Sequence, residues 1–594
     1  MTTMSHTKTY KTKLNNIKEN ANISNATTPE NNQYITASDY EYESNCLYCG
    51  KNREQPILIG MVTVIAQVKV DDGSYQTLLR AKNPRNEEVD VLVDSASLTA
   101  QSVNTQLGNH GLTVFNPNSV LIFIKHLITI VSSKPAMQGV FKVGWHQNRQ
   151  IFFTGEFAIF TPATRMDEFY LKPLGTNLLR MRQKGTLVEW KAQIGVHVEA
   201  NDILLVFTSL SLASVLLDRA QLSSSVFNLF GYKGLGKTLV LQASASVWGN
   251  GCDPAQSTPN NVPFIQKVNS TANGLEALLS TYSPLATIVD ELGERKATDL
   301  AELCYSLASG AGKHRMTSNG NLAASGQWLS NVLISSERSI SELIASSGKQ
   351  QEGGQADRAV DIPIPEDGIF TDCGKFGDFN LLTSHLKKVA SEYYGSAGVE
   401  FIQHCLTNPD AVQGHINFLS EIEDMLAPSE CEAGERRVVK RFALGCVAGL
   451  IAIDAGIFSC ETDRLLDAFE SVVKLWWNFR ADCIRKIVEL LTSNKVNIVD
   501  NAPLLGNQNN DVFHHNGLFT FSVVLFEKHF SNHAHLLKEL NGFGMIKREQ
   551  ATRFQHRYCN NRFFGYSIFD ARLLPLLKIA LDETEEQSLE DAFS

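Results

Sequence analysis

The octapeptide Gly231-Tyr232-Lys233-Gly234-Leu235-Gly236-Lys237-Thr238 constrains this chain more than any other stretch. It fills every fixed position of the G-x-x-x-x-G-K-[ST] pattern, whose glycines permit a tight turn and a close approach of backbone to ligand. The flanks narrow the fold further. Ser225 to Phe230 reads as a short buried strand, and Leu239 to Trp248 reads as a helix stopped by Gly249. A strand, a glycine-rich turn and a helix N-terminus aim backbone N–H groups and the positive helix end at one point. The expected ligands are therefore ATP and Mg²⁺. Residues 231–238 would wrap the phosphates, Lys237 would reach the outer two, and the Thr238 hydroxyl would ligate the metal.

Hydrolysis asks for more: a carboxylate for the metal, a group that activates water, and a cation for the transferring phosphoryl. Leu285 to Glu291 reads as a buried strand with Asp290 and Glu291 at its carboxyl end, where an open α/β sheet binds its ligand. Asp290 is expected to hold Mg²⁺ and Glu291 to polarise the attacking water. A further strand, Asn331 to Glu337, ends in hydroxyls. Ser335 or Ser336 would bond the outer phosphate or the water, with Ser336 the chosen candidate; strand-end capping is an equal alternative for either. Arg358 precedes the strand Ala359 to Ile364. In ring ATPases this position faces the neighbouring subunit's triphosphate as an arginine finger, although read alone an arginine here is more often a surface ion-pair residue. Arg436, Arg437 and Arg441 lie at helical spacing, and one of them is a candidate to reach back to the outer phosphate.

Composition shifts divide the rest. Residues 1–35 are polar and read as a disordered tail; residues 36–185 read as an α+β domain, with strands around the Asp71-Asp72-Gly73 turn and a helix near 120–131. Strands and helices alternate over 186–365, as in a parallel sheet flanked by helices. Residues 366–495 read as a helical lid, 496–580 as a winged-helix-like module, and 581–594 as an acidic tail. The predicted class is thus an α/β P-loop ATPase core with an α+β N-terminal domain, a helical lid and a C-terminal winged-helix-like module. The apolar run Ile203 to Leu217 is broken by hydroxyls, so it reads as a buried helix. Eleven scattered cysteines and a polar N-terminus suit reduced thiols in a cytoplasm and no membrane span. Cys46 and Cys49 have zinc-ligand spacing without a second pair nearby. Trp145 and His146 read as a core tryptophan with a satisfied histidine.

A net charge of −10 argues against a protein that coats nucleic acid over its whole surface, but not against local basic sites. Gly310 to Leu322 suits a hairpin, with Lys313 and Arg315 placed to follow a single strand of DNA in a channel, or else packed on their own domain. Between Lys538 and Arg572 seven basic residues face three acidic ones, with aromatics interleaved. Lys547, Arg548, Arg553 and Arg557 are the candidates there for duplex DNA.

The octapeptide belongs to an ordered series of further motifs. Gly144-Trp145-His146 precedes it; Ala243 to Gly249, Thr271 to Glu276, Asp290-Glu291-Leu292, Gly310 to Arg315, Trp328, Ser335-Ser336-Glu337 and Gly354 to Arg358 follow. Tyr394 to Gly398, Phe442 to Leu444 and Ala448-Gly449 continue it. Over roughly residues 55–400 the chain resembles bacterial proteins with the domain of unknown function 927, helicase-like and often carried on mobile elements. The resemblance implies an MCM-like AAA+ ATPase: a homo-hexameric ring, as in self-loading replicative helicases of mobile genetic elements, acting on DNA. Two features depart from the pattern. Tyr232 and Lys233 stand where small residues and serines are usual, and no primase domain precedes the ATPase.

Overall fold

The computed structural model describes residues 23–25 and 39–573 apart from several breaks, of which 291–305, 344–358 and 501–510 are the longest. The chain divides into two compact units, Met1–Leu179 and Arg180–Ser594.

In the first unit, Met61–Lys69, Tyr75–Lys82 and Glu88–Asp94 form an antiparallel meander, to which Met137–Val140 and Phe169–Leu171 add in parallel. Val62, Val64, Leu79 and Ala81 bury one face of it against the helix Pro117–Val131. That helix offers Val120, Phe123, Ile124, Leu127 and Val131, an apolar stripe at helical period. Gly144–His146 pairs with Ile151–Phe153 in a hairpin. There the Trp145 ring meets Phe152 edge-on at 4.8 Å, and His146 Nε2 donates to the Lys142 carbonyl at 2.8 Å. Burial lowers the His146 pKa. Cys46 and Cys49 are three positions apart on one strand, Cys46–Cys49. Side chains alternate along a strand, so the two thiols leave opposite faces and do not converge on one ion, whatever their spacing suggests.

The second unit is a mixed α/β fold. After the short helices Leu187–Trp190 and Val196–Ala200 come α1 (Asp202–Ala213), β1 (Ser225–Phe230), α2 (Lys237–Ser246), β2 (Gln266–Lys267), α3 (Ala272–Tyr282) and β3 (Thr287–Asp290). A hairpin of β4 (Arg315–Met316) and β5 (Leu322–Ala323) follows, then β6 (Asn331–Ser336) and β7 (Ala359–Pro363). The sheet runs β2-β3-β6-β1-β7, with every pair parallel. Covered by helices, such strands read as continuous apolar runs, and Val226, Phe227, Leu229, Ile288, Val289, Val332, Leu333 and Ile334 have no exposed surface. β1 leads by way of α2 to the far edge, whereas β6 crosses over β1 to reach β7. This reversal opens a crevice at the carboxyl ends of β1 and β6, where ligands of open α/β sheets lie.

Helix α1 is buried from Ile203 to Ala213; of its hydroxyls, Ser211 Oγ donates to the Ser244 carbonyl and accepts from Trp248 Nε1, both at 3.1 Å, while those of Thr208 and Ser209 are buried with no hydrogen-bond partner among the described residues. Among the described residues no single helix is long and apolar enough to cross a membrane. After β7 come α4 (Phe379–Val389), three short helices, α5 (Ala433–Asp454) and the long α6 (Thr462–Thr492). Gly445 lets α5 come close to α1, since a Cβ there would sit 2.7 Å from Leu210 Cδ2. The last segment is a sheet of β8 (Asp511–His515), β9 (Leu518–Ser522), β10 (Ile546–Lys547), β11 (His556–Tyr558) and β12 (Phe563–Phe569), with Asn497–Asp500 at its edge. Helices α7 (Val523–His529) and α8 (His533–Gly542) separate β9 from β10.

Candidate functional site

The octapeptide forms the turn from β1 into α2. The helix begins at Lys237, earlier than its apolar pattern suggests, because Gly236 (φ +95°) acts as its N-cap. A side chain at 236 would meet both a left-handed backbone and Ile369, whose Cδ1 would lie 2.6 Å from the new Cβ. No side chain caps this helix start. Lys237 Nζ arches back over the turn and donates to the carbonyls of Gly231 and Tyr232, each at 2.8 Å.

Three neighbouring elements place oxygens together beside the turn. Val289 of β3 pairs with Ile334 of β6, which sets Asp290 next to Ser335. Thr238 Oγ1 donates to Asp290 Oδ1 at 3.3 Å, and Ser335 Oγ donates to the same oxygen at 2.5 Å. Asp290 is only 7% exposed. A buried carboxylate beside a threonine hydroxyl is a hard-oxygen donor set of the kind a divalent cation such as Mg²⁺ takes.

A cleft of about 660 Å³ opens over this corner. Lys233, Gly234, Gly236, Lys237 and Thr238 line it from the turn, Ser335, Ser336, Glu337 and Arg338 from the end of β6, and Phe379, Thr383 and Lys387 from α4. Lys233, Lys237, Arg338 and Lys387 outnumber Glu337 among these side chains, so the cleft suits a polyanion although the chain is acidic. Sequence reasoning missed the α4 residues and Arg338. The i, i+4, i+8 spacing of Phe379, Thr383 and Lys387 on one helical face was the available signal.

Two sets of sequence candidates have partners of their own in this structure. Ser336, chosen over Ser335, holds its hydroxyl between Asn228 Oδ1 (2.8 Å) and the Arg338 carbonyl; alternation along β6 gives Asp290 to Ser335 instead. Two of the three candidate arginines of α5 have partners away from the cleft. Arg441 donates to the carbonyls of Ser223 and Ser224 and to the Ser225 hydroxyl, at the start of β1 and so at the opposite end from the cleft. Arg436 pairs with Asp424 at 2.6 Å and with Glu423 at 3.7 Å.

Glu291, Lys313, Arg358, Arg548 and Arg553 lie outside the described residues. Arg315 on β4 and Arg557 on β11 are described in backbone only, and Lys547 is exposed on β10. The described residues between Gly310 and Trp328 pair as a hairpin. Arg315 pairs with Ala323 and Met316 with Leu322, while Gly312 N–H bonds the Gly326 carbonyl and Trp328 N–H the Gly310 carbonyl.

A search of the curated proteins finds no match. Among solved structures, one described as the active helicase Cch of SCCmec type IV superposes with a TM-score of 0.61 at 16% identity, covering 91% of this chain and all of that one. At such identity the likeness is one of fold. The apo C-terminal region of NrS-1 is also similar, at 12% identity over 62% of this chain and 79% of that one, but with a TM-score of 0.26 it says nothing about shared architecture. Residues 48–327 match the model of a domain of unknown function, DUF927, which supports that family for the stretch holding the glycine turn, Asp290 and the hairpin.

Proposed function

We propose that the chain is an AAA+ P-loop ATPase that works as a homo-hexameric DNA helicase or translocase in the cytoplasm, serving replication of a mobile genetic element. The observation that carries this reading is the convergence of Thr238 and Ser335 on Asp290 beside the glycine turn, at the carboxyl ends of adjacent parallel strands. The end-to-end likeness in fold to a helicase supports it.

The residues divide the work. Backbone N–H groups at the start of α2 and the Lys237 ammonium would bind the β- and γ-phosphates, Lys237 leaving its two carbonyl partners to do so. Thr238 and Asp290 would hold Mg²⁺, which supplies positive charge to the phosphate oxygens. Glu291, next in sequence to Asp290, would orient water for in-line attack, and Ser335 would keep the Asp290 carboxylate turned toward Thr238. Arg358 would complete the site of the neighbouring subunit. The Gly310–Trp328 hairpin would carry Lys313 and Arg315 against single-stranded DNA in the channel. The order β9, α7, α8, β10, β12 supports a winged-helix-like module, whose Lys547, Arg548, Arg553 and Arg557 would contact duplex phosphates.

Imaging the protein with a non-hydrolysable ATP analogue and assaying strand separation on tailed duplexes tests the reading. Six-fold rings and ATP-dependent separation are expected. ATP hydrolysis without separation of any tailed duplex would reject the helicase in favour of an ATP-switched assembly.

A further inference from the structure

Besides the glycine turn, the cleft is lined by the short turn after β6, which presents Glu337 and Arg338. Three buried polar side chains from three adjacent strands hold it. The Ser336 hydroxyl of β6 and Asn228 Nδ2 of β1 both reach the Arg338 carbonyl, the latter at 3.3 Å. Asp361 of β7, which lies directly opposite Asn228, accepts from Asn228 Nδ2 and from the Ile340 backbone N–H, each at 2.7 Å. Ser339 Oγ accepts from the Glu342 N–H at 3.0 Å and closes the turn. Ser336, Asn228 and Asp361 are 3%, 0% and 8% exposed.

Polar groups are costly to bury in the middle of a parallel sheet unless they are paired. Here their pairing converges on the backbone of 338–340, so its product is a fixed position for Arg338. The side chain itself is differently placed. It is 46% exposed, lines the cleft with Lys237 and Thr238, and meets Glu342 at 3.8 Å, beyond hydrogen-bond reach. A guanidinium on a rigid stalk, with its fork turned to solvent in a cleft of cations, matches an anion presenting several oxygens.

We propose that Arg338 reads the terminal phosphate of the nucleoside triphosphate, and that Asn228 and Asp361 are its positioning residues. This rests on the reading of the glycine turn as a phosphate site. Arg338 would donate to γ-phosphate oxygens that a diphosphate lacks, so it separates ATP from ADP, whereas Lys237 and the α2 start bind both.

Titrating the full chain, in Mg²⁺, with ADP and with adenylyl imidodiphosphate tests this. In Arg338→Ala, affinity for the triphosphate analogue should fall about tenfold, about 1.4 kcal/mol, with ADP affinity within about twofold of wild type. Arg338→Lys should recover part of the loss. Asn228→Ala should lower the triphosphate-to-diphosphate ratio in the same direction, an effect that mere loss of stability would not produce. An unchanged ratio in Arg338→Ala overturns the inference, as does equal loss of both ligands. A wild-type chain that binds ADP and the analogue equally well overturns it while sparing the phosphate site. One that binds neither overturns both.

Discussion

Ser335 and Asp290 stand on adjacent parallel strands, and the Ser335 hydroxyl donates to Asp290 Oδ1 at 2.5 Å. Thr238 bonds that same oxygen from the other side. One carboxylate oxygen is thus held between the first turn of α2 and the end of β6. Removing the Ser335 hydroxyl frees the carboxylate to rotate without disturbing the apolar strand. Ser335→Ala should therefore lower kcat for ATP roughly tenfold, about 1.4 kcal/mol of barrier, with little change in Tm. Steady-state ATPase assays beside thermal melting check this, and Ser336→Ala is the contrast. That variant should lower Tm, because Ser336 fastens the turn after β6.

Lys237 bonds the carbonyls of Gly231 and Tyr232 in its own turn, and its ammonium lines the cleft. Lys237→Ala should keep its Tm within a few degrees of wild type and lose ATP hydrolysis by on the order of 10²–10³-fold. Wild-type turnover in this variant would remove the phosphate site from the 231–238 turn.

Gly236 combines a left-handed backbone with a neighbour at van der Waals limit. Gly236→Ala must either displace Ile369 or distort the start of α2, at about 1–3 kcal/mol. Both a lower Tm and loss of nucleotide binding are expected, read by melting and by nucleotide titration. Gly234→Ala shares the positive φ but meets no atom within 4 Å, so its effect on Tm should be smaller.

Arg441 is 9% exposed and ties α5 to residues 223–225 ahead of β1. Truncation takes this donor from the buried Ser224 carbonyl, at about 1–3 kcal/mol. Arg441→Ala should lower the urea midpoint substantially while the surviving folded fraction keeps wild-type nucleotide affinity. A selective loss of affinity at unchanged stability would return Arg441 to the phosphate site.

His197 is buried beside His385, Phe376 and Lys375, and burial, with the neighbouring positive charges, pushes its pKa down to about 4 from 6.5. The unfolded chain therefore binds a proton more readily than the folded one between these values. The stability that His197 contributes as a neutral ring is complete above pH 6.5 and is lost as pH falls toward 4, at about 1.4 kcal/mol per unit. Chemical denaturation at intervals from pH 7 to pH 4 should show this slope, flattened in His197→Gln.

The parts of this architecture that were legible are those encoded by neighbours in sequence. Ser225–Phe230 reads as a strand from its apolar run, the turn from its glycines, and Leu465 to Leu491 as a helix, which the structure extends to Thr462–Thr492. Pairings across strands were not legible. Asn228 and Asp361 are 133 positions apart, and only the β1–β7 register makes them opposite. A polar residue inside an apolar run carries no sign of its partner. Helical spacing made Arg436, Arg437 and Arg441 equivalent, but their surroundings differ: Arg441 faces the start of β1, while Arg436 faces the acids of the preceding helix. Alternation along β6 separates Ser335 from Ser336, yet deciding which of them faces Asp290 needs the position of the neighbouring strand.

The hairpin and the carboxylate corner are joined by one straight element. Trp328 closes the hairpin base on Gly310 and anchors its indole to the Leu307 carbonyl, and β6 starts at Asn331. Ser335 and Ser336 close the other end of that six-residue strand, roughly 17 Å away at ordinary strand rise. The strand is buried from end to end between β1 and β3 and contains no hinge. The base of the hairpin and the carboxylate corner are thus the two ends of one buried central strand, with Trp328 only seven residues before Ser335.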